Sequence, residues 1–345
     1  MLKYLLTFSL PLTLGLALGL RGPWSYLPLV YAFGLIPLLE LALRPDPRNL
    51  SQVEEDLRRD DPVYDWLIYL TVPLQLLAVG AFLWTVTQHP LAPYEQVGLV
   101  TALGVMCGTF GINVGHELGH RRTRHERWLA KTALLTSLYM HFYIEHNRGH
   151  HKHVSTQADP ASARCGEPVY AFWLRSITGG YRSAWRLEAE RLDKKGLPRF
   201  SWANEMLRFH LIQGAWLLLI GLTFGPRALL LYLAAALMGI LLLETVNYIE
   251  HYGLQRQALA PGRYERVQPH HSWNSDHILG RLLLFELSRH SDHHYLASRP
   301  YQVLRHHDEA PQMPTGYPGM MLLSLLPPLW FRVMHARLRT FSSHA

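Results

Sequence analysis

Six stretches of this 345-residue chain, at about 2–20, 24–43, 65–87, 95–115, 207–224 and 227–247, are long, predominantly apolar blocks. A helix needs about 20 predominantly apolar residues to traverse the hydrocarbon core of a bilayer, and each block is long enough. Within the blocks the apolar residues do not recur at the 3.6-residue period of a half-buried helix, so two soluble domains, the guess from length alone, do not fit. The joins at Arg21-Gly22-Pro23, at 88–94 and at Gly225-Pro226 are short enough to close hairpins. The connections on the other side are long and hold nearly all the lysine and arginine. The positive-inside rule therefore places 44–64, 116–206 and everything after 248, with both termini, in the cytoplasm. No A-x-A-like cleavage site follows the first block, which is expected to stay as an anchor.

The formal charge of +7 gathers on that face. It fits topology and contact with anionic lipids, or a docking surface for an acidic protein. The basic residues flank membrane helices without a recognition motif, so no nucleic-acid partner is expected. Cys107 and Cys165 are too few and too far apart for a disulfide scaffold or a C-x-x-C site. No G-x-G-x-x-G follows a strand, so the chain is expected to bind no haem, flavin or nicotinamide, and redox work would draw electrons from another protein.

The 21 histidines are not scattered. HELGH (116–120) follows the fourth block, EHNRGHH (145–151) lies in the basic stretch after it, NYIEHYG (247–253) ends the sixth block, and RHSDHH covers 289–294. Residues i and i+4 share a helix face. His116 and His120 can therefore aim at one point, as can His146 and His150, with His151 turned toward a second. His290, His293 and His294 repeat the pattern as i, i+3, i+4. With His251 this makes nine imidazoles, more than one metal accommodates, so two metals are expected. Each cluster carries an acid: Glu117, Glu145, Glu250 and Asp292. A ligating imidazole usually donates its other N–H to a carboxylate, which fixes its orientation; one of the four could instead bridge the metals. The expected fold is an all-α membrane protein of one domain, 1–345, with six transmembrane helices. A cytoplasmic helical cap, 116–206 and 248–345, holds the histidine-rich di-metal site.

H-E-x-x-H is also the zinc-protease motif, but such a site uses three protein ligands and an open position, leaving six histidines over. Metal transport or storage is the reading without catalysis; its histidine tracts are low-complexity loops, whereas these have helical spacing. The remaining histidines, His141 and His153 among them, show no such grouping with acids.

In order and spacing, these four motifs resemble those of the integral-membrane alkane monooxygenases, as do the linking segments HHKHVSTQADPASARCGEPVYAF (150–172) and PTGYPGM (314–320). The likeness runs from about residue 20 to 335. The wider superfamily includes membrane fatty-acid desaturases and the xylene monooxygenase hydroxylase subunit. The resemblance implies a non-haem di-iron centre with O2 as co-substrate in a bacterial inner membrane, and terminal hydroxylation of medium-chain n-alkanes to primary alcohols. It also implies electrons from rubredoxin and its NAD(P)H-dependent reductase. Benzylic hydroxylation of toluene or xylenes is the neighbouring possibility. Imidazole also suits zinc, copper and nickel, so iron comes from the resemblance alone. Carried over by motif, the ligands are His116, His120, His146, His150, His151, His251, His290, His293 and His294, undivided between the irons.

An alkane would reach the metals through an apolar tunnel. On the face of His116, Val105, Gly108, Thr109 and Ile112 are candidates, and below His251 so are Ile240 and Leu243, with Asn247 on the same stripe expected to support the metal ligands; Gly108 and Gly111 could leave room for a chain. Glu244 is a carboxylate inside the last apolar block, where a charge usually faces a cavity or a partner. It is expected to support the metals or deliver protons, or else to form a salt bridge between helices. Arg121, Arg122, Arg124, Arg127, Lys194 and Lys195 are candidates for docking an acidic rubredoxin.

Overall fold

The computed structural model describes residues 2–342, so His344 and the outermost ends of the expected 1–345 domain lie outside the described residues. In chain order the main helices before the last histidine cluster are α1 (Leu2–Leu20), α2 (Gly22–Ala42), α3 (Pro62–Gln88), α4 (Pro93–Gly119), α5 (Arg124–Leu135), α6 (Val169–Lys194) and α7 (Glu205–His251), and a 16-residue helix, Pro327–Ser342, closes the described chain. Of α1 to α7, all but α5 and α6 are long and apolar enough to cross a membrane. The described strands are a short antiparallel pair, Ala258–Ala260 with Arg263–Tyr264, in a surface loop.

Local chemistry sets the ends of these helices. Asp61 caps α3 by accepting the Val63 N–H, with Pro62 at the first helical position. Thr123 and Glu126 form a reciprocal capping box on α5, and the Asn204 side chain accepts the Leu207 N–H at the start of α7. The 47-residue α7 is broken at Gly225, whose φ of 82° favours glycine. Pro226 follows and offers no N–H to carry the ladder through. The break falls where the sequence places the join between its fifth and sixth apolar blocks.

Large apolar side chains cover the outside of these helices, with Leu222 78% and Leu41 73% exposed. Patches of that extent belong against lipid rather than water; this is a multi-pass membrane protein. Inside the bundle, α4 and α7 come together almost backbone to backbone. A Cβ at Gly104 would fall 2.4 Å from Met238, and one at Gly239 would fall 2.5 Å from the Cβ of Cys107. Small residues permit such approach where lipid provides no hydrophobic drive between helices. The approach carries the ends of α4 and α7, and with them His116 and His251, to the same end of the bundle.

Candidate metal centre

Four segments meet there: the end of α4, residues 142–153, the end of α7, and α8 (His290–Tyr295). They bring the nine histidines into two groups. His116, His120, His146, His151 and His293 offer five ring nitrogens within 4.8 Å of one another, and His150, His251, His290 and His294 offer four. In the first group, Nε2 of His146 lies 3.1 Å from that of His120 and 2.9 Å from that of His151, which is 3.2 Å from that of His293. In the second, Nε2 of His150 lies 3.2 Å from that of His294, and the His290 and His251 pair is also at 3.2 Å.

The division departs from helical spacing at one place. His146 and His150, expected to share a point, separate, and His146 joins His151 instead. Residues His146–His150 form a π-helix, whose wider turn brings i and i+5 onto one face. In α8, an ordinary α-helical turn, His290 and His294 stay together and His293 faces the other group.

The nitrogens fit a cation. Neutral imidazoles packed nitrogen to nitrogen leave lone pairs and N–H groups without complementary partners, a costly state away from water. Both ring nitrogens of His116 are buried without a hydrogen bond, as are Nδ1 of His251, His290 and His294. Burial and neighbouring imidazoles hold His146, His151, His290, His293 and His294 well below the usual histidine range, and His120 down to about 3. Their lone pairs are therefore free at neutral pH. Burial pulls His150 down as well, but the Asp159 carboxylate, 2.9 Å from its Nδ1, outweighs this and raises it.

Asp159 is the residue missed in the sequence. It is buried, accepts the Ala161 N–H and the Ser162 hydroxyl, and fixes the orientation of His150. Two of the four acids expected in this role face elsewhere. Asp292 accepts from Arg299, His307 and the Arg305 N–H, because it lies about 200° around α8 from His290. Glu117 likewise turns from its neighbour His116 to Arg121 and the Tyr301 N–H. Glu250 does approach, with Oε2 3.2 Å from Nε2 of His290. Glu145 borders a small polar cavity with His146, His150, Glu244 and Asn247, and burial pushes it up to about 8. In that cavity Glu244 accepts from the Tyr139 hydroxyl at 2.7 Å and lies 3.4 Å from the Asn247 amide; no salt bridge engages it among the described residues.

An apolar cavity of about 70 Å³ lies on the membrane side, lined by Val105, Gly108, Thr109, Asn113, Leu243, Val246 and Leu287 among others. Asn113 stands three residues before His116 on α4, about one helical turn away, and Leu287 stands three residues before His290 in the turn that leads into α8. Ile112 does not line the cavity, and neither does Ile240. A second π-helix, Cys107–Asn113, turns Ile112 away to pack with Leu134 and Phe142 and brings Asn113 into its place. On α7 the open face is that of Leu242 and Val246, so Ile240 packs into the Ile112 cluster. Gly111 sits against Ser137 rather than at the cavity. Among the basic residues, Arg121 is bound to Glu117 at 3.1 Å and Asp65 at 3.2 Å and is not a free surface cation. Arg122, Arg124, Arg127, Lys194 and Lys195 are exposed.

Residues 96–324 match the fatty acid desaturase family. Over 340 residues the chain is 42% identical to alkane 1-monooxygenase 2 of Pseudomonas aeruginosa, covering 96% of this chain and 89% of that protein. It is 42% identical over 309 residues to alkane 1-monooxygenase 1 of Alcanivorax borkumensis, covering 90% and 76%. The hydroxylase component of the Pseudomonas putida xylene/toluene monooxygenase is 29% identical over 323 residues, covering 91% and 82%. With such identity maintained across nearly its whole length, this chain belongs to the alkane 1-monooxygenase family, within the membrane desaturase and hydroxylase superfamily.

Proposed function

We propose that this enzyme uses O2 to hydroxylate the terminal methyl group of medium-chain n-alkanes, giving primary alcohols, at a non-haem di-iron centre. The observation that carries the reading is the pair of imidazole groups, one of five and one of four, with an apolar cavity whose lining residues Asn113 and Leu287 each stand three residues before a clustered histidine. His116, His120, His146, His151 and His293 would hold one iron, and His150, His251, His290 and His294 the other. When bound, the irons supply the redox chemistry that activates O2. One oxygen atom enters the C–H bond and the other leaves as water, with two electrons and two protons consumed.

The protein's residues supply the rest. An alkane offers no charge or dipole, so the cavity can select it only by shape and dryness. Val105, Thr109 and Leu243 provide an apolar wall, and Gly108 provides room. The narrow space suits a single hydrocarbon chain better than a substituted ring, which ranks benzylic methyl hydroxylation second. Asp159 holds the His150 ring in place. Glu244 and Tyr139, hydrogen-bonded in the small cavity that His146 and His150 also line, would pass protons toward the site.

Six crossings follow if the two halves of α7 each span the bilayer, with the metal site and both termini on the cytoplasmic side of a bacterial inner membrane. Electrons would come from rubredoxin and its NAD(P)H-dependent reductase, drawn to the exposed charges of Arg122, Lys194 and Lys195. Arg124 and Arg127 line a separate groove.

A product assay tests the reading. Membranes holding the protein, with rubredoxin, reductase and NADH, are given octane and p-xylene under 18O2. Labelled 1-octanol is the expected product. Labelled 4-methylbenzyl alcohol alone would move the enzyme to the aromatic branch. Neither product, from a preparation that contains two irons and accepts electrons, would overturn the substrate assignment.

A further inference from the structure

A groove of about 650 Å³ lies where α5, the segment 142–153 and the first turns of α7 meet, and no step of the reaction uses it. Its upper wall is cationic: Arg124, Arg127, Lys131, Arg148 and Arg208 face a single carboxylate, Glu205. Glu205 is already shared by Lys131 at 2.8 Å and Arg148 at 2.7 Å, with Arg208 at 3.7 Å. Arg124 and Arg127 have no carboxylate partner among the described residues, and the Nε of Arg208 is buried without an acceptor. The groove therefore presents excess positive charge and unused donors.

Its other end is apolar. Leu211 and Ile212, 57% and 40% exposed, continue the groove onto the lipid-facing side of α7. Trp128 and Trp202, 71% and 74% exposed, stand at its mouth, and exposed tryptophan is characteristic of the membrane–water boundary. An occupant must be anionic at one end and hydrocarbon at the other. An acidic protein would satisfy the first wall and leave the second bare.

We propose that this groove is a binding site for one anionic phospholipid, its phosphate among Arg124, Arg127 and Arg208 and an acyl chain along Leu211 and Ile212. Basic pockets beside transmembrane helices recognise anionic headgroups in this way. The site also touches the metal segment. Arg148 lies between His146 and His150, and its guanidinium bridges Glu205 in the groove wall to Glu188 on α6. The proposal rests on the membrane reading and not on the reaction.

Native mass spectrometry of the full chain in detergent tests it, with phosphatidylglycerol or phosphatidylcholine titrated in. The wild type is expected to retain one phosphatidylglycerol in preference to phosphatidylcholine. Replacing Arg124→Gln and Arg127→Gln together should weaken that binding roughly 30-fold, about fivefold per cation. Lys194→Gln with Lys195→Gln, the same charge removed elsewhere, should change it less than twofold. Iron content and melting temperature on the same samples report whether each variant is folded. The wild-type lipid preference stands as a separate readout if the arginine variant does not fold. Equal binding of both lipids by the wild type would overturn the proposal. So would an unchanged phosphatidylglycerol affinity in a folded arginine variant, or binding by that variant that fails only for an acidic rubredoxin. Loss of lipid binding with hydroxylation intact would leave the reaction assignment standing, and the reverse result would leave the lipid site standing.

Discussion

The two imidazole groups are built from the same segments yet differ in kind. Residues 142–153 send His146 and His151 to one group and His150 to the other, and α8 sends His293 to one and His290 with His294 to the other. All four members of the smaller group are buried, whereas His120 and His151 in the larger one are partly exposed. Carboxylates gather only on the smaller group, Asp159 at His150 and Glu250 at His290. No member of the larger group has a hydrogen-bonded carboxylate among the described residues. A cation held by the four imidazoles would have its charge offset by the acids beside them and no ligand to spare, whereas one held by five neutral rings would keep its full charge and have one more ligand. Two ions of one element would therefore be inequivalent here.

The sharpest way to break this comparison is to remove one ring from each group. His251→Ala should abolish alcohol formation and release the metal of the smaller group, since three imidazoles remain. His120→Ala should retain metal in both groups and keep measurable activity, since four remain. Equal losses in the two variants would show that the groups do not differ in reserve.

Asp159→Asn sharpens the contrast next. It should lower metal affinity of the smaller group by about 10- to 100-fold, as is typical when the acid behind a ligating imidazole is lost, and leave the larger group unchanged. Competition with a chelator would read this as biphasic release. Asp292→Asn, although inside the RHSDHH motif, should leave metal content per folded chain unchanged and destabilise the fold by about 3 kcal/mol, because it strips the buried partner of Arg299; thermal unfolding checks this. Substituting Gln for Arg122, Lys194 and Lys195 should have the smallest effect, about twofold, on turnover at limiting rubredoxin. That effect should vanish at high salt as the charges are screened.

Much of this was legible in the sequence, for identifiable reasons. The apolar blocks read directly because spanning a bilayer needs length more than detail. The break in α7 read from Gly225-Pro226, a pair that cannot continue a helix. The nine histidines read as a set because their spacings are helical. Their division did not, since a π-helix at His146–His150 changes which spacing shares a face, and no residue type announces such a turn. The same effect at Cys107–Asn113 put Asn113 where Ile112 was expected to line the cavity. Asp159 went unseen because it reaches His150 from a loop nine residues away, beyond any periodicity. Asp292 and Glu117 misled for the opposite reason: neighbours in a motif, they point to other sides of their helices.

The most direct test of the account is the iron content of purified wild type beside His251→Ala, with 57Fe Mössbauer spectra of both. Two irons per wild-type chain, giving two distinct signals of equal area, with one iron and one of those signals left in the variant, is the predicted result. A single iron per wild-type chain, or two irons retained by the variant, would contradict the division into groups of five and four.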